Sequence, residues 1–139
     1  MASSYFLDSD VILDFLLKRL PFNIGAKQIF QLSFNHRVKI FVSSLAITNV
    51  HYICTKAVGK EESLLLLEEL ADLVKILSVG EKEIFSAMKS GFPDFEDAIQ
   101  HFTALQDSQI EGIITRNTAD FRKSKLPIYS PESFLALFK

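Results

Sequence analysis

The sequence predicts an α/β fold of three layers, α/β/α, with a central, mostly parallel sheet of about five strands. Short runs of β-branched and aromatic residues alternate with longer segments in which apolar residues recur every three or four positions. Such alternation favours a parallel sheet covered by helices on both faces. The length of 139 residues suits a single domain, 1–139, that buries a sizeable core.

The first half of the chain contains two predicted strands and three predicted helices. The strands, 5–7 and 38–42, are mainly aromatic or β-branched. Pro21 ends the first helix, and Ser43 or Ser44 caps the third. The predicted helices of this half are 11–18, 23–35 and 44–59.

The second half continues the alternation. Leu and Glu, both strong helix formers, dominate the segment 60–73. Asp94 is a suitable N-cap for a later helix, and Pro131 suits the first position of the last one. The predicted helices here are 60–73, 81–89, 95–108 and a terminal helix from residue 131. The predicted strands are 74–79, 111–115 and 128–129.

Composition narrows the function classes. The single cysteine, Cys54, excludes an internal disulfide and fits a cytoplasmic protein. The first residues do not resemble a signal peptide, and the apolar runs are shorter than the roughly 18 residues of a membrane helix. His51 and Cys54 form a lone pair, predicted to be surface and core residues rather than zinc ligands. The net charge of −2 means that nucleic-acid binding would need a local basic patch, such as Arg116, Arg122, Lys123 and Lys125 near Asp120.

Four aspartates lie near the ends of predicted strands. Asp8 directly follows the first strand, Asp120 comes after the fourth, and Asp94 and Asp97 begin the helix before the fourth. Ligands of parallel sheets bind at the carboxyl ends of the strands, so these acids are expected to converge there. Oxygen ligands suit Mg²⁺ or Mn²⁺, which can activate water and neutralise phosphate charge. The sequence therefore predicts a site for phosphodiester hydrolysis, with Asp8, Asp97 and Asp120 as metal ligands.

The same residues also have local explanations. Helix capping alone can account for Asp94, and Asp97 lies where the helix dipole favours negative charge. Asp8 has no such local explanation, and Asp14 is predicted to face solvent or another loop. Thr115 and Asn117 are predicted to hydrogen-bond to metal-bound water or to a ligand carboxylate.

A phosphatase is one alternative. The opening Asp8-Ser9-Asp10-Val11 resembles that of haloacid dehalogenase-type phosphatases, in which the first aspartate attacks phosphate covalently. That family also has a carboxylate pair after a later strand, whereas the fourth strand here ends in Thr115-Arg116-Asn117.

As a set, the motifs at 6–14, 43–49, 94–100 and 114–121 resemble PIN domains, in the same order along the chain. The resemblance implies a compact α/β/α fold and a ribonuclease that depends on Mg²⁺ or Mn²⁺. Many small members are toxins of VapBC-type pairs, often dimeric and inhibited by an antitoxin, so an RNA substrate, an antitoxin and a homodimer are expected. The metal-binding acids would be Asp8, Asp97 and Asp120, with Asp94 as an accessory acid and Thr115 in support.

The sequence departs from the family pattern at three positions. Asp10 stands where the family more often has Asn, Asn49 where many members have Glu, and Asn117 where many have Asp. Each Asn removes a charge, for which Asp94 or Glu96 could compensate. Asn49, Asn117 and Arg116 are therefore predicted to support the acids or contact substrate, and a non-catalytic RNA- or protein-binding module is a further alternative.

Overall fold

The computed structural model describes residues 2–139 and confirms the predicted α/β architecture. Five strands form one parallel sheet in the order β3-β2-β1-β4-β5. The strands are β1 (Ser3–Leu7), β2 (Val38–Ser43), β3 (Lys75–Leu77), β4 (Ile110–Ile114) and β5 (Ile128–Tyr129). The helices are α1 (Ser9–Leu16), α2 (Asn23–Phe34), α3 (Ser44–Val58), α4 (Lys60–Ala71), α5 (Glu81–Met88), α6 (Phe95–Ala104) and α7 (Pro131–Ala136), with a short 3₁₀ helix (Thr118–Phe121) after β4.

Both faces of the sheet are buried, which gives the three layers. Tyr5 and Leu7 of β1 belong to a core shared with α1, α2, α3 and α7, whereas Phe6 between them belongs to a smaller core with Ile113 and Phe121. This alternation follows from the two-residue period of a strand. A sheet buried on both faces needs nearly continuous apolar strands, as the sequence provides.

The strand order sets the position of the site. β1 lies in the centre, with Phe6 beside Phe41 of β2 and Leu7 beside Ile114 of β4. The backbone amide of Asp8 extends the pairing by donating to the carbonyl of Ile114 at 3.0 Å. The carboxyl ends of three neighbouring strands therefore meet at one edge of the sheet.

Some predicted boundaries differ from the structure. The third strand is shorter than 74–79, because β2 ends at Ser43, which pairs with Leu77, the last residue of β3. The helix predicted for 95–108 ends at Ala104, after which Gln106 closes a tighter turn onto the carbonyl of Thr103. Within residues 2–139, no helix has the length and apolar character needed to cross a membrane.

Candidate functional site

A cleft of about 460 Å³ opens at the carboxyl ends of β1, β2 and β4. Helices α1, α3 and α6 supply most of its wall, because the first turn of each helix lies at this edge of the sheet. Four of the residues predicted for the site line it: Asp8, Asp97, Asn49 and Asn117. The other lining residues are Ser9, Asp10, Leu45, Tyr52, Ile53, Glu96 and Gln100.

Asp8 is the most deeply buried acid of the cleft wall. It caps the N-terminus of α1, where its Oδ1 accepts from the amide of Ser9 at 2.7 Å. Its Oδ2 accepts from the hydroxyl of Thr115 at 2.8 Å. The sequence interpretation that Asp8 has no local explanation is therefore wrong, because helix capping explains an acid directly after the strand. Burial raises the pKa of Asp8, and the hydrogen bonds from Thr115, Ser9 and Gln100 oppose that rise.

Gln100 was missed as a site residue. Its side-chain amide donates to Asp8 Oδ1 at 3.4 Å and to the hydroxyl of Ser9 at 3.3 Å. Its carbonyl oxygen accepts from the hydroxyl of Ser43 at the end of β2. The available signal was helical spacing, because Gln100 lies three residues after Asp97 and so on the same face of α6.

Asp10 lies beside Asp8 on the first turn of α1. Its Oδ1 accepts from the amide of Val11 at 2.7 Å, and its Oδ2 accepts from the amide of Arg116 at 3.0 Å. Burial, together with the charge of Asp8, raises the pKa of Asp10 to about 7. The acid found where the family more often has Asn is thus part of the cleft.

Asp14 is buried and does not face solvent; it faces the loops that contain Arg19 and Arg116, which is the other of the two predicted alternatives. Its side chain is 1% exposed and accepts from Nε and Nη2 of Arg116 at 2.7 and 3.1 Å and from Nε of Arg19 at 2.9 Å. A buried carboxylate needs such partners. Arg116 was predicted to support the acids or contact substrate, but its guanidinium is engaged by Asp14 and lies 3.9 Å from the ring centre of Phe22. Its backbone amide donates to Asp10 in the cleft, and its positive charge opposes the rise in the pKa of Asp10.

The acids around α6 repel one another. Burial raises the pKa of Asp97 to about 8, and nearby negative charges add to the effect. Those charges belong, in decreasing order, to Asp8, Asp94, Asp120 and Asp10. Asp94 and Asp120 do not line the cleft, but they lie close enough to act on it. Asp94 also caps α6 as predicted, accepting from the amide of Asp97 at 2.9 Å.

Two asparagines occupy the wall where many family members have acids. Asn49 of α3 donates from its side-chain amide to Glu96 of α6 at 3.2 Å, so the two helices meet across the cleft. The side chain of Asn117 is exposed at the cleft, and its backbone amide donates to the hydroxyl of Thr115 at 3.0 Å. Glu96 therefore brings an acid to the position beside Asn49.

The sequence matches the PIN domain family over residues 4–119. The chain belongs to the PIN domain family. It is 24% identical over 134 residues to Ribonuclease VapC1 of Aquifex aeolicus (strain VF5), covering 93% of this chain and 91% of that protein.

Solved structures share the PIN fold. DNA-bound VapBC from Salmonella typhimurium aligns with a TM-score of 0.70 at 17% identity, covering 94% of this chain and 99% of that one. VapBC-1 from nontypeable Haemophilus influenzae aligns with a TM-score of 0.68 at 22% identity, covering 93% and 98%. Mycobacterium tuberculosis VapC20, a sarcin-ricin loop cleaving toxin, aligns with a TM-score of 0.60 at 13% identity, covering 78% and 86%. The predicted PIN-like fold is confirmed.

The donor set of this PIN domain fits a divalent cation. Carboxylate oxygens are the ligands that Mg²⁺ and Mn²⁺ prefer. Burial raises the pKa of Asp97 most, and the repulsion from neighbouring acids that adds to this rise is the kind that a cation would relieve. Among residues 2–139, no three acidic, histidine or cysteine side chains already surround a common point. An ion that keeps much of its water and uses one or two carboxylates, as Mg²⁺ often does, needs no such group.

Two of the three histidines, His51 and His101, take structural positions. His51 pairs through Nδ1 with the hydroxyl of Ser63 at 2.8 Å, and Cys54 is buried. His101 is buried beside Phe92, and its Nε2 accepts from the amide of Lys125 at 3.0 Å. Burial and the charge of Lys125 lower the pKa of His101 to about 4, so its ring is neutral at pH 7.

Proposed function

We propose that this PIN domain is a ribonuclease that hydrolyses RNA phosphodiester bonds with Mg²⁺ or Mn²⁺, and that it is the toxin of a toxin–antitoxin pair. The observation that carries the proposal is the convergence of acids at the cleft, close enough for Asp8 and Asp10 to raise the pKa of Asp97. Similarity to a protein named as a ribonuclease, along nearly the full length of both chains, supports the same activity.

Three acids in or beside the cleft have defined tasks in this proposal. Asp8 is the fixed ligand, because Thr115 and Ser9 hold its two oxygens. Asp97 would give up its proton when the cation binds, and Asp120 adds negative charge nearby. When bound, the cation supplies an acidic water and neutralises charge on the phosphate oxygens.

The outer wall of the cleft suits a single RNA strand. Tyr52 lines the cleft with 62% of its surface exposed, and the ammonium of Lys56 lies 4.3 Å from its ring centre. An exposed ring can stack on a nucleobase of any sequence, and a nearby lysine can contact the backbone phosphate. Asn49 and Asn117 would contact the ribose or phosphate through neutral hydrogen bonds.

The proposed partner is a protein antitoxin, since neighbours in fold include VapBC complexes. Adjacent coding sequence offers a direct check: a small upstream reading frame with a DNA-binding N-terminus is expected. Cytoplasmic location, a homodimer and a single domain over 1–139 stay predictions from the sequence.

The test compares RNA cleavage by four proteins with Mn²⁺ and with EDTA: the wild type, Asp8→Asn, Asp97→Asn and Asp72→Asn. The first two variants are expected to lose at least about a hundredfold in rate, because cation stabilisation of a transition state amounts to several kcal/mol. Asp72 is exposed beside the amino-terminal ends of β2 and β3, so its variant should cleave normally. Cleavage that survives both site variants would contradict the assignment.

A non-catalytic binding module is the second candidate, favoured by the neutral Asn49 and Asn117 in the wall. Calorimetry separates the two functions. If the wild type takes up no Mn²⁺ at millimolar concentration yet still binds RNA, the binding module is correct and the ribonuclease proposal fails.

A further inference from the structure

The side chain of Gln100 connects two parts of the PIN domain that are far apart in sequence. It is 2% exposed and lies between Ser43, at the end of β2, and Asp8, at the end of β1. A buried amide must find partners for both its oxygen and its NH₂ group. The partners that Gln100 has found determine which end of the amide faces Asp8.

Ser43 fixes the orientation of this amide. The hydroxyl oxygen of Ser43 caps α3 by accepting from the amide of Ala46 at 3.0 Å. The one hydroxyl proton of Ser43 is therefore left to donate, and its partner is the side-chain oxygen of Gln100. With its oxygen held by Ser43, Gln100 must turn its NH₂ group towards Asp8 and Ser9.

Thr115 approaches the other oxygen of Asp8 in the same way. Its hydroxyl accepts from the amide of Asn117 at 3.0 Å, which leaves its proton for Asp8 Oδ2. A backbone amide thus sets the direction of the donor on each side of the carboxylate. Helix α3 acts through Ser43 and Gln100, and the loop after β4 acts through Thr115.

These contacts account for most of the acceptor capacity of Asp8. A carboxylate has about four acceptor positions, two on each oxygen. Oδ1 receives Ser9 and Gln100, and Oδ2 receives Thr115. One position on Oδ2 remains available to a ligand.

We propose that Gln100 is a positioning residue that holds Asp8 so that only Oδ2 is presented to the cation. The inference rests on the proposed function, because it concerns the same metal site. Groups that orient metal ligands change metal affinity roughly 10–100-fold when they are removed.

Calorimetric titration with Mn²⁺, without RNA, tests the role of Gln100. Gln100→Met keeps the approximate size of the side chain and removes both hydrogen-bonding groups. It is expected to weaken Mn²⁺ binding by about tenfold or more. The control is Gln106→Met. The side-chain amide of Gln106 also makes a hydrogen bond, to the carbonyl of Ser78 at 2.7 Å, but Gln106 does not line the cleft. That control should bind Mn²⁺ as the wild type does.

A second pair of variants tests the orienting hydroxyl. Ser43→Ala removes the cap of α3 and the donor to Gln100, whereas Ser130→Ala removes the corresponding cap of α7, a bond of 3.0 Å from Ser133. Both variants should lower Tm. Weakened Mn²⁺ binding is expected for Ser43→Ala alone, because its effect passes through Gln100.

The outcomes separate this inference from the proposed function. If the wild type binds Mn²⁺ and folded Gln100→Met binds it equally well, the positioning role is overturned while the metal site stands. If Gln106→Met loses as much affinity as Gln100→Met, the effect is not specific to Asp8 and the inference is overturned. If the wild type binds no Mn²⁺, the inference and the metal-dependent proposal fail together.

Discussion

The acids on the two sides of the cleft have different surroundings. The α1 acids, Asp8, Asp10 and Asp14, accept hydrogen bonds from backbone amides, from Thr115 or from arginines. The α6-side acids, Asp94, Asp97 and Asp120, lie where negative charges accumulate. The structure records no hydrogen bond to the carboxylate of Asp97 or Asp120 from the described residues 2–139.

In the proposed function, this difference means that one side of the site is built by folding and the other is left for a ligand. Donors from several elements fix the α1 acids, so their positions are set before any cation arrives. The charge of Asp97 remains uncompensated, and a proton or a cation can relieve it. The proposed divalent site would need such preorganised ligands beside a concentration of negative charge.

The largest effect on stability is expected from Asp14→Asn. The change removes the charge that pairs Arg116 and Arg19, whose side chains are 27% and 37% exposed. Hydrogen bonds between charged groups contribute about 1.5–3 kcal/mol, and the partial exposure of both arginines limits the loss. Urea unfolding at pH 7 should show a decrease of about 2–3 kcal/mol.

Arg19→Gln is the companion to that variant. It removes one of the two arginines and leaves the Arg116 pair with Asp14 intact, so a smaller decrease is expected. If Asp14→Asn is as stable as the wild type, the ion pairs of Asp14 with Arg19 and Arg116 do not stabilise the fold. The α1 acids would then not differ from the α6-side acids in this respect.

Thr115→Val should have the next largest effect. Val has nearly the same shape but cannot donate to Asp8 or accept from the amide of Asn117. Leaving buried polar groups unpaired costs about 1–2 kcal/mol. The control is Thr103→Val in α6, where the lost bond is to the carbonyl of Ile99 at 2.7 Å. Calorimetry should show weaker Mn²⁺ binding for Thr115→Val alone, and equal losses in both variants would argue against a special role for Asp8.

The pH dependence of stability should distinguish the α6 side. Because folding raises the pKa of Asp97 from 3.8 to about 8, the folded state binds this proton more tightly. The resulting stability is fully present below about pH 4 and is lost as the pH rises through 8. Without metal, the wild type should lose more stability between pH 5 and pH 8 than Asp97→Asn does.

Urea unfolding in EDTA measures that difference, and the other titrating groups are common to both proteins. Adding Mn²⁺ at pH 8 should stabilise the wild type, because a ligand that binds the folded state shifts the equilibrium towards it. If the unfolding free energies of the two proteins change in parallel with pH, folding does not raise the pKa of Asp97.

The smallest effect is expected from Glu96→Gln. The contact between Asn49 and Glu96 at 3.2 Å lies at the exposed mouth of the cleft. Exposed polar contacts contribute little, so unfolding free energy should change by less than about 0.5 kcal/mol. A larger loss would mean that this contact joins α3 to α6 more firmly than its exposure suggests.

The sequence by itself determined the architecture and predicted two of the acids that line the cleft, Asp8 and Asp97. The alternation of strands and helices, and caps such as Asp94 and Ser43, depend on neighbours within a few residues, so local patterns are enough to predict them. The motif positions of Asp8 and Asp97 also placed both in the cleft wall.

The tertiary structure alone decided what surrounds those acids. Gln100 meets Asp8 across 92 positions of sequence, Thr115 meets it across 107, and Arg116 meets Asp14 across 102. No pattern in the local sequence encodes such contacts, because they exist only once the order of β2, β1 and β4 brings the carboxyl ends of these three strands together. Tertiary packing chose, between solvent and another loop, the loops that carry Arg19 and Arg116 as the surroundings of Asp14, and it left Asp97 among negative charges that the fold itself does not neutralise.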